Sequence, residues 1–368
     1  MTVATDLTTL SGEDVCAAGA WLAGRVVRTP VVRSAALDAL AGARLWLKAE
    51  NLQRGGSYKY RGATLAVGRI ADEGRHTGVI AQSTGNHAVA VALAARERGL
   101  RAVAVLPVDA APAKIALAHA AGADVMLAGH TLDDRLAAVE RLRVSTGHAV
   151  LDAYDHPDVI RGQGTATLEL LDEVRDRGAR LDAVVLPVGG GGGLAGACLA
   201  AEGHDLSVYG VEPVGNDSLA RSLVTGNRVT VVPGPTLADG LRPAQVGRLP
   251  FRIVQHAVAG VVRVDDAAIA HAVRLVLFEA KLLVEPSAAA ALAGALLLAA
   301  AGGLGDIGVV LTGGNIDPGT LGGILAGPAD VTGTGGRDTT GGPAGTGHHT
   351  GHDRSGRPAG AHDQEEAA

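Results

Sequence analysis

Short apolar runs recur along the chain, and alanine-rich stretches of helical spacing separate most of them. The runs Leu45–Leu47, Gly78–Ala81, Ala102–Leu106, Asp124–Leu127, Ala183–Val188, Ser207–Val211 and Gly308–Thr312 are near-continuous rather than alternating. That is the pattern of strands covered on both faces. Stretches such as Asn86–Arg98 and Pro112–Ala121 are followed at once by glycine, which readily closes a helix. Ser11 and Asp14 form a capping-box start to a helix over 11–28. The alternation predicts an α/β architecture with mainly parallel sheets, in two units rather than one. The apolar run Ala288–Ala301 is shorter than the about 20 residues that span a bilayer and reads as a buried helix.

The pattern stops at Gly327. Residues 327–368 carry Gly, Thr, Pro, Asp and His with almost nothing apolar, which predicts a disordered tail. His348, His349, His352 and His362 are read as solvated groups of that tail, not as metal ligands. The 368 residues are 47% hydrophobic but only 2% aromatic, so two domains can be filled, with a core of Ala, Val and Leu. A net charge of −6 argues against nucleic acid or an anionic membrane as partner. Cys16 and Cys198 cannot make a disulfide framework or a Cys-rich metal site. The start MTVATDLTTLSGEDV has no basic segment and no apolar core of a signal peptide, so the expected location is cytoplasmic.

The densest signal is the strand-like Ala183–Val188 running into Gly189, Gly190, Gly191, Gly192 and Gly193, then a helical stretch. Consecutive glycines let backbone N–H groups converge, and a helix N-terminus adds positive potential, so the loop suits a phosphate. The same residues contain Gly191-x-Gly193-x-x-Gly196, with Glu212 ending the next strand. That is also the spacing of a dinucleotide fingerprint with an acid for the ribose, so an NAD-linked oxidoreductase stands beside the phosphate reading.

Lysine occurs only at 48, 59, 114 and 281, against a large excess of arginine. Each retained lysine is a candidate for chemistry that a permanently protonated guanidinium cannot perform. Lys59 lies in Gly55-Gly56-Ser57-Tyr58-Lys59-Tyr60-Arg61-Gly62-Ala63 at the expected start of a helix, where the dipole disfavours the ammonium form. Gln82-Ser83-Thr84-Gly85-Asn86-His87 follows another strand and opens a helix, offering hydroxyls, an amide and N–H groups to a carboxylate. Thr312-Gly313-Gly314-Asn315 places a hydroxyl at a strand's carboxyl end, where open α/β sheets bind ligands.

Together these segments resemble the pyridoxal-phosphate enzymes of the serine/threonine dehydratase family, which includes serine racemase. The matching stretches are Glu50 through Ala63, Ser83 through Ala88, Leu106-Pro107, Pro187 through Gly196, Gly210 through Pro213, Ala238-Asp239-Gly240, Leu283 through Pro286 and Leu311 through Asp317, in family order over residues 25–320. The resemblance implies a fold type II, tryptophan synthase β-like enzyme with two three-layer α/β domains. The large one would comprise 1–70 and 152–326, the small one 71–151, and 327–368 would be tail. It implies pyridoxal 5'-phosphate as cofactor, carried covalently by Lys59, which then works as acid and base. Gly189, Gly190, Gly191 and Gly192 would hold the phosphate, Asn86 the phenolic oxygen, and Thr312 would stand beside the pyridine nitrogen. Ser83, Thr84, Gly85, Asn86 and His87 would bind the substrate carboxylate.

The activity implied is loss of water from L-threonine or L-serine, giving 2-oxobutanoate or pyruvate plus ammonia. Another β-hydroxy amino acid such as hydroxyaspartate fits the same motifs. Racemisation is the alternative within the family, and the NAD-linked oxidoreductase the remote one outside it. Thr84 stands where dehydratases commonly carry Ala and similar racemases Ser. Tyr58 and Tyr60 stand where Phe and a variable residue are usual. Where some racemase-like members hold a divalent ion, Glu212 is retained but Ser218 replaces Asp, so no metal is expected. A homo-oligomer, dimer or tetramer, is the expected assembly.

Overall fold

In the computed structural model, residues 10–83, 85–110 and 112–327 are described. Thr84 and the tail, with its four histidines, lie outside them. In chain order the strands are β1 (Val31–Val32), β2 (Arg44–Lys48), β3 (Gly78–Gln82), β4 (Arg101–Leu106), β5 (Asp124–Leu127), β6 (Ala149–Val150), β7 (Ala183–Pro187), β8 (Ser207–Pro213), β9 (Gly260–Val264) and β10 (Asp306–Val310). The helices are α1 (Gly12–Leu22), α2 (Ala35–Ala41), α3 (Lys59–Glu73), α4 (Asn86–Glu97), α5 (Pro112–Ala121), α6 (Leu132–Thr146), α7 (Pro157–Asp176), α8 (Gly192–Ala200), α9 (Ser218–Thr225), α10 (Arg248–Ala257), α11 (Asp266–Glu279), α12 (Pro286–Ala301) and α13 (Pro318–Ala326).

Two sheets result among the described residues. One has six strands in the order β1-β2-β10-β7-β8-β9, the other four in the order β5-β4-β3-β6. Every pair is parallel except β1 with β2. β10, the last strand, sits centrally, with Ile307 opposite both Leu45 of β2 and Ala183 of β7. Trp46 ties the same pair together by donating its indole N–H to Asp306 across 2.8 Å. Alanine, valine and leucine fill both faces of the larger sheet, as the composition predicted. Smaller clusters around α4 and α6 fill the faces of the second sheet.

Three strands were absent from the apolar pattern: β1, β6 and β9. All are sheet edges. β1 and β6 have two residues each, and β9 keeps most of its residues partly exposed, so none shows a continuous apolar run. The first helix stops at Leu22 rather than near 28, because Gly24 turns left-handed with φ +75°.

Helices α3, α7 and α8 pack side by side at a separation only glycine allows. A Cβ on Gly162 of α7 would lie 2.6 Å from the Cα of Gly62 on α3. One on Gly196 of α8 would lie 2.6 Å from the backbone nitrogen of Gly164 on α7. The N-termini of α3 and α8, which carry Lys59 and the glycine loop, are thereby held on either side of α7.

Beneath them lies a buried ion cluster. Arg61, fully buried, donates to both oxygens of Glu50 at 2.8 Å, and to Glu169 at 2.8 and 2.7 Å. Lys48, equally buried, donates to Glu169 at 2.7 Å and to the Thr29 carbonyl at 2.6 Å. The Thr29 hydroxyl completes Glu50. Burial alone would lower Arg61, but Glu50 and Glu169 outweigh it and raise its pKa. For Lys48 burial wins over both carboxylates, and its pKa falls. Glu50→Ala should therefore leave two buried cations with one carboxylate and cost about 3–5 kcal/mol, read as a drop in the urea midpoint. A shift corresponding to less than about 1 kcal/mol would mean that the four charges do not depend on one another in this way.

Candidate active site

Lys59 is the first residue of α3. The chain before it is pinned to the strand-end loop after β10. Ser57 bridges Gly313, the Tyr58 N–H donates to the Thr312 carbonyl at 3.0 Å, and the Gly314 N–H to the Gly56 carbonyl at 2.9 Å. The Lys59 ammonium donates to the Ala153 carbonyl at 2.8 Å and lies 5.6 Å from the centre of the Tyr58 ring. Its pKa is lowered to about 8, chiefly by burial, while Asp152 and Glu285 hold it up. Burial, rather than the helix position alone, is what frees the amine.

The glycine loop faces the residue next to that carbonyl. A Cβ on Gly190 would fall 2.1 Å from the Tyr154 ring, and one on Gly192 2.9 Å from the Tyr154 carbonyl oxygen. Gly191 is left-handed, with φ +87°, and caps α8. A Cβ on Gly189 would meet the Gly240 carbonyl oxygen at 2.9 Å. The loop thus offers backbone only, at the N-terminus of a buried helix, which is the donor set a phosphate takes. Gly193 and Gly196 are spaced by packing, the first against the Tyr58 hydroxyl and the second against α7. Glu212 accepts from the Leu219 and Ala220 N–H groups at 2.8 and 2.9 Å, and is spent at the start of α9. Burial lifts it to about 7. The dinucleotide reading thereby loses the acid it needs.

The helix after Ser83 carries the third element. Asn86 opens α4, its amide donating to Glu285 Oε1 at 2.8 Å and its Oδ1 accepting from Asn315 at 2.8 Å. One amide hydrogen of Asn86 is left for a ligand oxygen. Ser83 Oγ accepts from the Gly85 N–H at 3.3 Å. The His87 ring is buried, with Nε2 3.1 Å from the Leu151 carbonyl, and burial and Lys59 hold its pKa down near 4. What His87 brings to the cleft is a first-turn N–H, not a charge. Thr312 is buried two residues beyond β10, which ends at Val310 and not at Thr312 as the pattern implied.

Three participants were not picked out as site residues from sequence. Tyr154 sits in a loop that reads as an ordinary connection. Asn315 donates to the Gly55 carbonyl at 2.8 Å as well as to Asn86. Glu285, before Pro286 at the start of α12, looks like a helix cap but makes no side-chain cap. It turns instead to Asn86, and a Cβ on Gly313 would lie 2.5 Å from its Oε1. Burial, reinforced by Asp239, raises it to about 7.

A backbone cradle at a helix N-terminus, a buried amine lowered towards neutrality, an amide and a hydroxyl meet the needs of an aldehyde-bearing pyridine phosphate. Comparison with known proteins agrees. Residues 22–313 match the family of pyridoxal-phosphate dependent enzymes, and the chain belongs to it. It is similar to the L-threo-3-hydroxyaspartate ammonia-lyase of Pseudomonas sp, 39% identical over 83% of this chain and 96% of that protein. Among solved structures, a threonine deaminase from T.th. superposes with TM-score 0.80 at 40% identity, over 84% of this chain and 99% of that one. Maize serine racemase gives 0.81 at 35% identity, over 86% and 96%. The fold is accordingly that of the fold type II pyridoxal-phosphate enzymes, and the chain is such an enzyme. Among the described residues, no helix is long and apolar enough to cross a membrane.

Gly190→Ala should push Tyr154 aside and destabilise the protein by about 1–3 kcal/mol, measured by chemical denaturation. Adding Tyr154→Ala should recover part of that loss; no recovery would mean the clash is not with this ring.

Proposed function

We propose that the enzyme is an ammonia-lyase that removes water from an L-β-hydroxy amino acid of the threonine and serine class. What supports this reading is the approach of the α3, α4 and α8 N-termini to one another: Gly313 meets both Ser57 and Asn86, and Gly193 packs against Tyr58. Pyridoxal phosphate, when bound, supplies the electron sink that acidifies the Cα–H of the amino acid attached to it. Gly189 to Gly192 would hold the phosphate through backbone N–H groups. Asn86 would donate its remaining amide hydrogen to the phenolic oxygen. Thr312 would give the pyridine nitrogen a neutral hydroxyl partner rather than a carboxylate. Ser83, Thr84 and the N–H groups of Gly85, Asn86 and His87 receive the substrate carboxylate. With the cofactor in place, the Lys59 amine would take the α-proton and, once protonated, would donate to the departing β-hydroxyl. Hydrolysis of the released enamine gives a 2-oxo acid and ammonia.

The same reading assigns residues 71–151, with the four-stranded sheet, to a small domain facing a large one of 1–70 and 152–326. Assembly as a homo-oligomer, dimer or tetramer, belongs to the same reading. The similarity to maize serine racemase favours racemisation as the second reading.

Assay of the holoenzyme with L-serine and L-threonine should give ammonia and 2-oxo acid in equal amounts, with D-serine a small fraction of pyruvate by chiral chromatography. D-serine forming faster than pyruvate would establish the racemase instead. Thr84→Ala should keep most of the ammonia release. Lys59→Ala should fold normally yet lose turnover; full turnover would remove Lys59 from the chemistry. With its pKa near 8, Lys59 presents roughly a tenth of its amine unprotonated at pH 7. Recombination of apoprotein with pyridoxal phosphate should therefore speed up about tenfold per pH unit below 7 and level off above about 8. A rate still climbing tenfold per unit between pH 8 and 10 would mean an ordinary lysine.

A further inference from the structure

Of the four lysines, Lys48 belongs to the buried ion cluster, Lys281 donates to the Phe278 carbonyl at the end of α11, and Lys59 is assigned above. Lys114 remains. It lies in the first turn of α5, which follows β4, as α4 follows β3. β3 and β4 are parallel neighbours in register, Gln82 opposite Val105, so both helices start from the same carboxyl edge of the sheet. That edge is where open α/β sheets place ligands.

The lysine crosses from the four-stranded sheet to the wall of the site. Its ammonium lies 2.6 Å from Asp239 Oδ2. Next to Asp239, Gly240 packs its carbonyl oxygen against Gly189 of the glycine loop, and its N–H donates to Ser287 on α12 at 3.0 Å. The charges of Lys114, Asp239 and Lys59 all act on Glu285, the carboxylate bonded to Asn86. The pair is nevertheless loosely held: the side chains are 39% and 56% exposed. An ion pair in that setting is weak and exchanges readily for another carboxylate.

We propose that Lys114 is a specificity residue that leaves Asp239 to bind a second carboxylate on the substrate's β-carbon, so that the favoured substrates are 3-hydroxy dicarboxylic amino acids. The argument is one of charge. The α-carboxylate is met by the α4 N-terminus, and Lys59 is committed to cofactor and proton transfer. Asp239, paired with Lys114, and Glu285, on which both of those charges act, would repel a second carboxylate at Cβ unless a movable cation covers it. Lys114 is that cation, and a flexible ammonium can turn between the two partners where a planar guanidinium would hold one. The reaction is unchanged and balances: hydroxyaspartate loses water from Cα and Cβ, regains it on hydrolysis, and yields oxaloacetate and ammonia. This inference rests on the ammonia-lyase reading.

The test compares kcat/KM of holoenzyme for L-threo-3-hydroxyaspartate and L-serine in the wild type, Lys114→Met and Lys114→Arg. In the wild type hydroxyaspartate should be the better substrate. Lys114→Met should lower the hydroxyaspartate-to-serine ratio at least fivefold, through KM for hydroxyaspartate, and Lys114→Arg should restore part of it. A ratio changed less than fivefold, including an equal fall for both substrates as expected if Lys114 only latches the cleft, overturns the inference. So does a wild type that deaminates serine better than hydroxyaspartate. Both results leave the ammonia-lyase reading standing. Release of ammonia from neither substrate overturns that reading and this inference together.

Discussion

The charge balance under the cleft is the condition on which the site depends. Arg61 stands one helical half-turn beyond Lys59, and its guanidinium is held on both sides by Glu50 and Glu169. Two cations and two carboxylates gathered in a largely buried cluster are stable only as a complete set, since loss of one strands the others. The set fixes the start of α3 against β2 and α7 at once, because Lys48 ends β2 and Glu169 lies on α7. With α3 fixed there, the direction in which the Lys59 side chain leaves the helix is fixed too.

The second constraint is steric. Glycine at 62, 162, 164 and 196 brings three helix backbones to distances that any side chain would prevent. Amine and anion cradle therefore approach each other because their helices share α7, not because the loops holding them are long or adaptable. The rest of the site is more polar than rigid. Asn86, Glu285 and Asn315 form a chain of side-chain hydrogen bonds, and a carboxylate near neutrality stands within it.

Central strands and the glycine loop were legible because their environment is uniform: burial on both faces leaves a continuous apolar run, and a backbone-only cradle leaves glycines. Lys59 was legible because lysine is rare in this chain. The same rarity misled at Lys48, whose partners Thr29 and Glu169 lie far away in sequence and give no local sign. Glu285 and Tyr154 were hidden for a related reason. A glutamate before Pro286 has an ordinary role as a cap, and a tyrosine in a loop has none. Only the approach of Asn86 to one and of Gly190 to the other gives them a function. Edge strands β1, β6 and β9 escaped because exposure dilutes the apolar signal.

The central position of β10 bears on how the chain is made. β2 and β7 flank it and are never paired with each other. During synthesis both leave the ribosome with an open gap between them, and residues 306–310 that fill it come near the end of the described residues. The ion cluster, α3 and α7 can gather earlier, as can the second sheet, whose strands are complete by Val150. The larger sheet cannot close until its last strand emerges, so a nascent chain exposes two unsatisfied strand edges from the completion of β7 at Pro187 until Asp306 is made. Such edges are what chaperones cover. A truncation before residue 306 would leave that gap permanently, and Trp46 would lose Asp306 as its partner.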